Sequence, residues 1–225
     1  SESLIHAGAN LNSRVEIIWV LSEKITNQNV KNKLSSIDGV IVAPGFGKRG
    51  IEGKISAIKY VRENNIPFFG ICLGMQCACI EFSRNILNKK SANSSEFDRN
   101  TDYPIIDIME KQKKIVNKGG TMRLGSYKCK LSKNSIVRNA YKMETIEERH
   151  RHRYEFNSTF KNEFNENGMI TTGINEKLNL VEVIELKNHP WFVGTQYHPE
   201  YKSRVLKPHP LFISFVSKIK SIKNG

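Results

Sequence analysis

The sequence predicts an α/β fold, a single domain with a mixed, mainly parallel central sheet flanked by helices and extended by antiparallel additions. Two observations predict it. Over roughly the first ninety residues, apolar runs of strand length alternate with segments of helical period, the pattern of a parallel sheet wound with helices. In the second half the long helical segments give way to short β-like runs at residues 127–131, 169–174 and 180–186, which add antiparallel strands.

The elements follow in order. Leu4-Ile5-His6-Ala7 opens in helical register directly behind Ser1-Glu2-Ser3, so the chain is expected to be a piece of a longer protein. Residues 15–21 form an apolar run read as a strand. Asp38-Gly39 introduces a second strand, 40–43, which enters the loop Pro44-Gly45-Phe46-Gly47. Ile51, Ile55, Ile58 and Val61 recur at helical spacing, and their helix stops by Asn64-Asn65, ahead of Pro67. Residues 66–71 make a short apolar strand, followed by a helical run to about Leu87. The Asn/Ser/Lys-rich stretch 88–95 reads as a loop. Residues 191–198 give the last strand, and Leu211, Phe212, Phe215, Val216 and Ile219 an amphipathic C-terminal helix. No internal repeat or interdomain linker breaks 1–225, which predicts one domain.

With 225 residues, 39% of them hydrophobic, the chain can bury a sizeable core, which excludes collagen-like, disordered and mini-protein classes. No apolar run reaches the roughly 18 residues of a membrane span, and no basic region followed by an apolar stretch opens the chain. Lys and Arg exceed Asp and Glu by 35 to 22, a net charge of +13. A nucleic-acid binder would gather that charge in one patch; here the lysines are scattered, and a solvated basic surface without a nucleic-acid partner is expected. Four cysteines, at 72, 77, 79 and 129, are too few for a disulfide scaffold and match no zinc spacing. No metal site and a reducing, cytoplasmic setting are expected.

The chemistry concentrates at Gly70-Ile71-Cys72-Leu73-Gly74, where a short strand meets a helix through G-x-C-x-G. This is the spacing of a nucleophile elbow with Cys in place of Ser: a sharp turn projects the side chain, and glycines on both sides relieve crowding. The helix N-terminus favours the thiolate, the nucleophilic form. Taken alone, the same pattern also fits a tight turn around a buried thiol. Cys77 and Cys79, inside the helix, read as core.

Three histidines precede proline, His189, His198 and His209, and only His198 has an acid nearby, Glu200. In extended backbone, positions two apart project to the same side, so Glu200 can hold the imidazole while His198 takes the thiol proton. His189 and His209, with Trp191 and Leu211 at that offset, read as structural. The glycine loop 43–47 can lie beside the elbow and offer an N–H, with that of Leu73, to a developing oxyanion. Arg149-His150-Arg151-His152-Arg153, as a strand, would put three arginines on one face and two histidines on the other.

With those residues assembled, the chain resembles the class I glutamine amidotransferases, and among them the glutaminase domains of CTP synthases. GICLGMQ (residues 70–76) and His198-Pro199-Glu200 carry the wider resemblance; GGTMRLG (119–125), ERHRHRYEFN (148–157), GFGKRGIEGK (45–54) and ANSSEF (92–97) carry the narrower one. The resemblance implies glutamine hydrolysis through a thioester on Cys72, with His198 as base and acid and Glu200 as its orienter. It implies glutamine contacts from Gly45, Leu73, Gly74, Met75, Gln76, Glu96 and Arg153. Free glutamine carries an ammonium and a carboxylate, which a Glu and an Arg suit; a turn cap at Glu96 and a solvated charge at Arg153 are the bland alternatives. It also implies a synthetase domain, outside this chain, that binds ATP, Mg2+ and UTP and receives the ammonia, a GTP effector, a homo-oligomer (tetramer) at full length, and a strand ahead of the first helix, also outside this chain. Where that family writes Pro-Gly-Gly-Phe-Gly, this chain has Pro44 in place of the first glycine. The loops 44–49 and 119–123 are the candidates for carrying an effector signal. A γ-glutamyl hydrolase, the glutaminase of another amidotransferase, a silent interaction domain and a basic RNA-binding module are the competing readings.

Overall fold

Phe68 and Phe69 are adjacent and both fully buried, yet they belong to different hydrophobic cores. Successive side chains of a strand point to opposite faces, so a strand covered on both sides is apolar throughout. The computed structural model, which describes residues 1–108 and 122–224, places that strand, β2 (Phe68–Ile71), in a seven-stranded sheet. The other strands are β1 (Val40–Val42), β5 (Arg123–Leu131), β6 (Thr145–His152), β8 (Met169–Asn175), β9 (Leu180–Leu186) and β10 (Phe192–Thr195), in the order β1-β2-β10-β9-β8-β5-β6. The sheet is mixed, as expected. β2 pairs in parallel with β1 and β10, and the remaining four pairings are antiparallel, so the antiparallel additions form the larger part. A second sheet has the order β3 (Asn93–Ser94), β4 (Pro104–Ile108), β7 (Tyr154–Phe156).

One core holds Phe68, Phe192 and Ile184 beneath α2 (Val30–Leu34), α3 (Ile51–Glu63), α4 (Leu73–Asn85) and Phe164 of α6 (Lys161–Glu166). Ile51, Ile55, Ile58 and Val61 form the buried stripe of α3 as their spacing requires. The opposite core holds Phe69, Val193 and Val183 beneath α1 (Glu2–Asn10), α5 (Ile136–Tyr141) and α7 (Pro210–Lys223). α4 is buried continuously from Leu73 to Ser83. Its fully buried Glu81 is met by Arg62 of α3 through Nε and Nη2 at 2.9 and 2.8 Å, a forked pairing that answers the cost of burying a carboxylate.

Two expectations are corrected, and a third lies largely outside the described residues. Residues 15–21 form no strand; Ile18, Trp19 and Leu21 are exposed. A strand exists through its ladder, and β1, at the end of the sheet, pairs only with β2 among the described residues. The three arginines do not share one face: Arg149 and Arg151 are exposed on β6, opposite the buried His150 and His152, while Arg153 lies beyond the strand's end. Of the loop 119–123, residues 119–121 fall outside the described residues, and Arg123 is the buried first residue of β5. Its Nη2 meets Glu182 at 2.6 Å, its Nη1 meets Glu155 at 3.4 Å, and it stacks 4.2 Å above the Tyr127 ring.

Candidate functional site

Cys72 follows β2, the middle of the three parallel strands, and His198 lies beyond the end of its parallel neighbour β10; the Cys72 N–H donates to Thr195 O at 2.7 Å. Parallel pairing thus delivers both residues to the carboxyl edge of the sheet, where open α/β sheets place their ligands. Cys72 has φ 52° and ψ −102°, a conformation L residues rarely adopt, and it is the N-cap of α4. The flanking glycines are explained by contacts. A Cβ on Gly70 would come within 2.7 Å of Gly74 backbone, and one on Gly74 would strike the Val42 carbonyl oxygen. The elbow closes only without those atoms.

The thiol is 3% exposed, and burial pushes it up to about 12. A main-chain hydrogen bond from Leu73 opposes that shift, and the carboxylates of Glu200, Glu155 and Glu96 reinforce it. The helix N-terminus does not outweigh desolvation, so the expected thiolate is replaced by a neutral thiol in the resting site. The Leu73 group expected to serve an oxyanion is directed at the sulfur here. Cys77, Cys79 and Cys129 are likewise buried free thiols, raised by burial.

The three His-Pro histidines separate by tautomer. His189 Nδ1 accepts from the Trp191 N–H at 3.3 Å while its Nε2 donates to Val61 O at 3.4 Å. His209 Nδ1 accepts from the Leu211 N–H at 3.3 Å, leaving Nε2 to face Glu148 at 3.2 Å. Both are helix- or turn-capping groups with the proton on Nε2. His198 is the reverse. Its Nδ1 lies 2.6 Å from Glu200 Oε1, an acceptor, so Nδ1 carries the proton and Nε2 the lone pair. That Nε2 is buried and has no hydrogen-bond partner. The His198 N–H donates to Arg149 O at 2.8 Å, and the ring stacks on Tyr201 at 4.7 Å with planes 4° apart. Glu200 reaches Nδ1 from a 3-10 turn, Pro199–Lys202, rather than from the extended strand expected.

A pocket of about 40 Å3 opens beside Cys72, lined by Gly45, Phe46, Gln76, Glu96, Met122, His152, Arg153 and Tyr154. Of the residues expected to hold glutamine, Gly45, Gln76, Glu96 and Arg153 meet there. Leu73 and Met75 send their side chains into the core, and Gly74 packs on Val42, so these three have only main chain to offer. Glu96 Oε1 accepts from the Gly47 N–H at 3.3 Å; burial raises its pKa, against the pull of that N–H and of Arg153. The recess is narrow and partly open to solvent. The exposed Phe46, with Arg151 6.0 Å over its ring, is the wall with least to hold it.

Sequence reasoning missed the polar groups beneath this wall. His150 Nδ1 lies 2.8 Å from His152 Nε2, and His152 Nδ1 lies 3.2 Å from Tyr154 O; both histidines are held neutral by burial and by Arg123. Gln196, fully buried, places Nε2 3.7 Å from Cys72 Sγ. Its signal was a glutamine in the run 191–198 read from sequence as a strand; it lies just beyond the end of β10. Among the described residues there is no cluster of three or more His, Cys, Asp or Glu side chains placed to hold a metal ion, and no helix is long and apolar enough to cross a membrane.

Residues 1–218 match the family Glutamine amidotransferase class-I. A CTP synthase of Christiangramia forsetii is 60% identical over 215 residues, covering 96% of this chain and 39% of that protein. A CTP synthase of Cytophaga hutchinsonii is 52% identical over 225 residues, covering 100% of this chain and 42% of that protein. The chain therefore spans about two fifths of the length of the curated relatives it matches. The solved glutaminase domain of Trypanosoma brucei CTPS, with bound acivicin, superposes with a TM-score of 0.92 at 33% identity, over 98% of this chain and 86% of that one. An elbow cysteine at the end of a parallel strand, a His-Glu pair beyond the end of its parallel neighbour, and these likenesses agree: the chain belongs to the class I glutamine amidotransferases, enzymes of amide-nitrogen transfer, as a glutaminase domain of the CTP synthase kind.

Proposed function

We propose that this domain hydrolyses L-glutamine to glutamate and ammonia. Glutamine lies with its ammonium toward Glu96 and its carboxylate toward Arg153, so that its side-chain amide reaches Cys72. His198 Nε2 takes the thiol proton as sulfur attacks the amide carbon; the proton then passes to the departing ammonia. Water, deprotonated by the same nitrogen, attacks the glutamyl thioester, and glutamate leaves as the thiol is restored. Glu200 keeps the imidazole proton on Nδ1 and offsets the charge of the imidazolium. Main-chain N–H groups at Leu73 and the loop of Gly45 and Phe46 receive the developing oxyanion.

The observation that supports this reading is the tautomer of His198. Among three His-Pro histidines it alone presents a buried, unengaged Nε2 beside a carboxylate-bound Nδ1. In the longer protein, the ammonia passes to a synthetase part that binds ATP, Mg2+ and UTP and forms CTP, with GTP as effector, in a cytoplasmic homo-oligomer; the CTP synthases spanning more than twice this length support that context. The test is labelling by a glutamine-mimicking electrophile, located by peptide mass. One adduct at Cys72, absent from Cys72→Ala, together with loss of glutamate release in that variant, is the expected result. Full glutamate release by Cys72→Ala overturns the reading.

A further inference from the structure

Gln196 has no part in the reaction as set out above, although its amide nitrogen lies 3.7 Å from the Cys72 sulfur. An amide can offer either its NH2 or its carbonyl end, and only its partners decide which. The decision here begins at a main-chain carbonyl. Tyr154 O can only accept, so the atom of Gln76 lying 3.0 Å from it is the NH2 nitrogen, Nε2. The same nitrogen lies 3.2 Å from the Gln196 side chain, which must therefore present its carbonyl Oε1 to Gln76. The NH2 end of Gln196 is left for the sulfur, at 3.7 Å. His152 Nδ1 donates to the same Tyr154 carbonyl, and His150 supports His152, so the row of donors is held from the β6 side as well.

We propose that Gln196 is a further catalytic residue, whose side-chain N–H donates to the Cys72 thiolate and is aimed there by Gln76 and the Tyr154 carbonyl. The proposal rests on Cys72 being the nucleophile. As the thiol proton moves to His198 Nε2, the sulfur keeps the electron pair and needs donors. Burial, together with the carboxylates of Glu200 beyond β10, Glu155 on β7 and Glu96 after β3, acts against the charge; the Leu73 main chain and Gln196 act for it. Arg153 and the neutral His152 stand on the pocket wall, and His198 carries the proton away. A hydrogen bond to the charged form lowers a pKa, so this donor makes the thiolate accessible.

The experiment is the pH dependence of Cys72 alkylation by iodoacetamide, read by peptide mass, in the wild type, Gln196→Met and Gln196→Glu, with folding checked by circular dichroism. Gln196→Met keeps the length and loses the donor, so the midpoint is expected to rise and the rate at a fixed pH below it to fall about tenfold, the effect of one pH unit. Gln196→Glu adds a carboxylate and is expected to shift it further. Gln76→Leu, which leaves Gln196 in place but unaimed, is expected to shift in the same direction and serves if the Gln196 variants do not fold. Folded variants with the wild-type midpoint overturn the proposal. If a glutamine-mimicking electrophile labels wild-type Cys72 while the midpoints stay unchanged, the role of Gln196 alone has failed. If wild-type Cys72 takes no such label, the glutaminase reading itself has failed.

Discussion

At Cys72 two requirements conflict. The proposed nucleophile must be buried enough to exclude water, and burial pushes its thiol up to about 12. A neutral thiol needs a base, and the choice among three His-Pro histidines turns on one proton position in each. His198→Ala is therefore expected to lower glutamate release at least about a hundredfold, in the range of general-base losses. Glu200→Gln is expected to retain more activity, because an amide oxygen can still accept from Nδ1. His189→Ala loses a capping acceptor and is expected to cost about 1 kcal/mol of stability, and His209→Ala, which also strips a partner from buried Glu148, about 3 kcal/mol, while glutamate release by the folded variants stays near wild type. Kinetics and urea unfolding of the four variants check this, and loss of thioester formation in a folded His189 or His209 variant would move the base elsewhere. Gly74→Ala belongs at the same scale. Its Cβ meets the Val42 carbonyl oxygen, so a loss of about 3 kcal/mol is expected from a single methyl group.

At the scale of elements, β6 alternates cleanly, with Arg149 and Arg151 outward and His150 and His152 inward. The inward pair is kept neutral by burial first and by Arg123 second. A histidine whose folded pKa is lowered binds fewer protons than in the unfolded chain, so stability is fully present above the unfolded pKa near 6.5 and is lost as pH falls below it. His152, lowered to about 3, contributes across that whole window. His152→Gln is expected to reduce the slope of unfolding free energy against pH, between pH 5 and 6, by about 1 kcal/mol per pH unit. Urea titrations at several pH values measure it; an unchanged slope would mean that His152 is protonated in the folded protein. The buried Glu155 and Glu182 shift upward and act in the opposite sense, so the difference between variant and wild type is the quantity to compare.

At the scale of the molecule, Phe46 and Met122 on the wall of the pocket beside Cys72 lie within the loops 44–49 and 119–123 marked from sequence as signal carriers, so a signal carried there reaches the pocket wall. We expect the isolated domain to be alkylated at Cys72 yet to turn glutamine over poorly. On the proposed reading, joining the domain to a synthetase part of the CTP synthase kind, with nucleotides and GTP, is expected to raise kcat, since two sites that bias one equilibrium are coupled reciprocally. Steady-state glutamate production by the fragment and by the full-length protein, each with and without GTP, decides the point. Equal rates in all four assays would make the domain autonomous.

The α3 stripe, the elbow and the His-Pro-Glu trio were legible because local spacing dictates them: period 3.6, a strand–turn–helix junction, and two residues within one turn. The alternation of β6 was legible too, but not where the strand stops, which removes Arg153 from the arginine face and delivers it to the pocket. The run 15–21 misled because hydrophobicity marks a segment fit to be a strand, whereas a strand exists only when a neighbour supplies the ladder. The Gln196–Gln76–Tyr154 row and the Arg123–Glu155–Glu182 cluster lay beyond any local reading, since their members are far apart in sequence and meet only through sheet order. The sequence by itself singled out Cys72, His198 and Glu200 and determined the local frame that presents them. Only the tertiary structure decided the state of the Cys72 thiol and the tautomer of the His198 imidazole, because desolvation and the identity of each hydrogen-bond partner depend on what the rest of the chain packs against them.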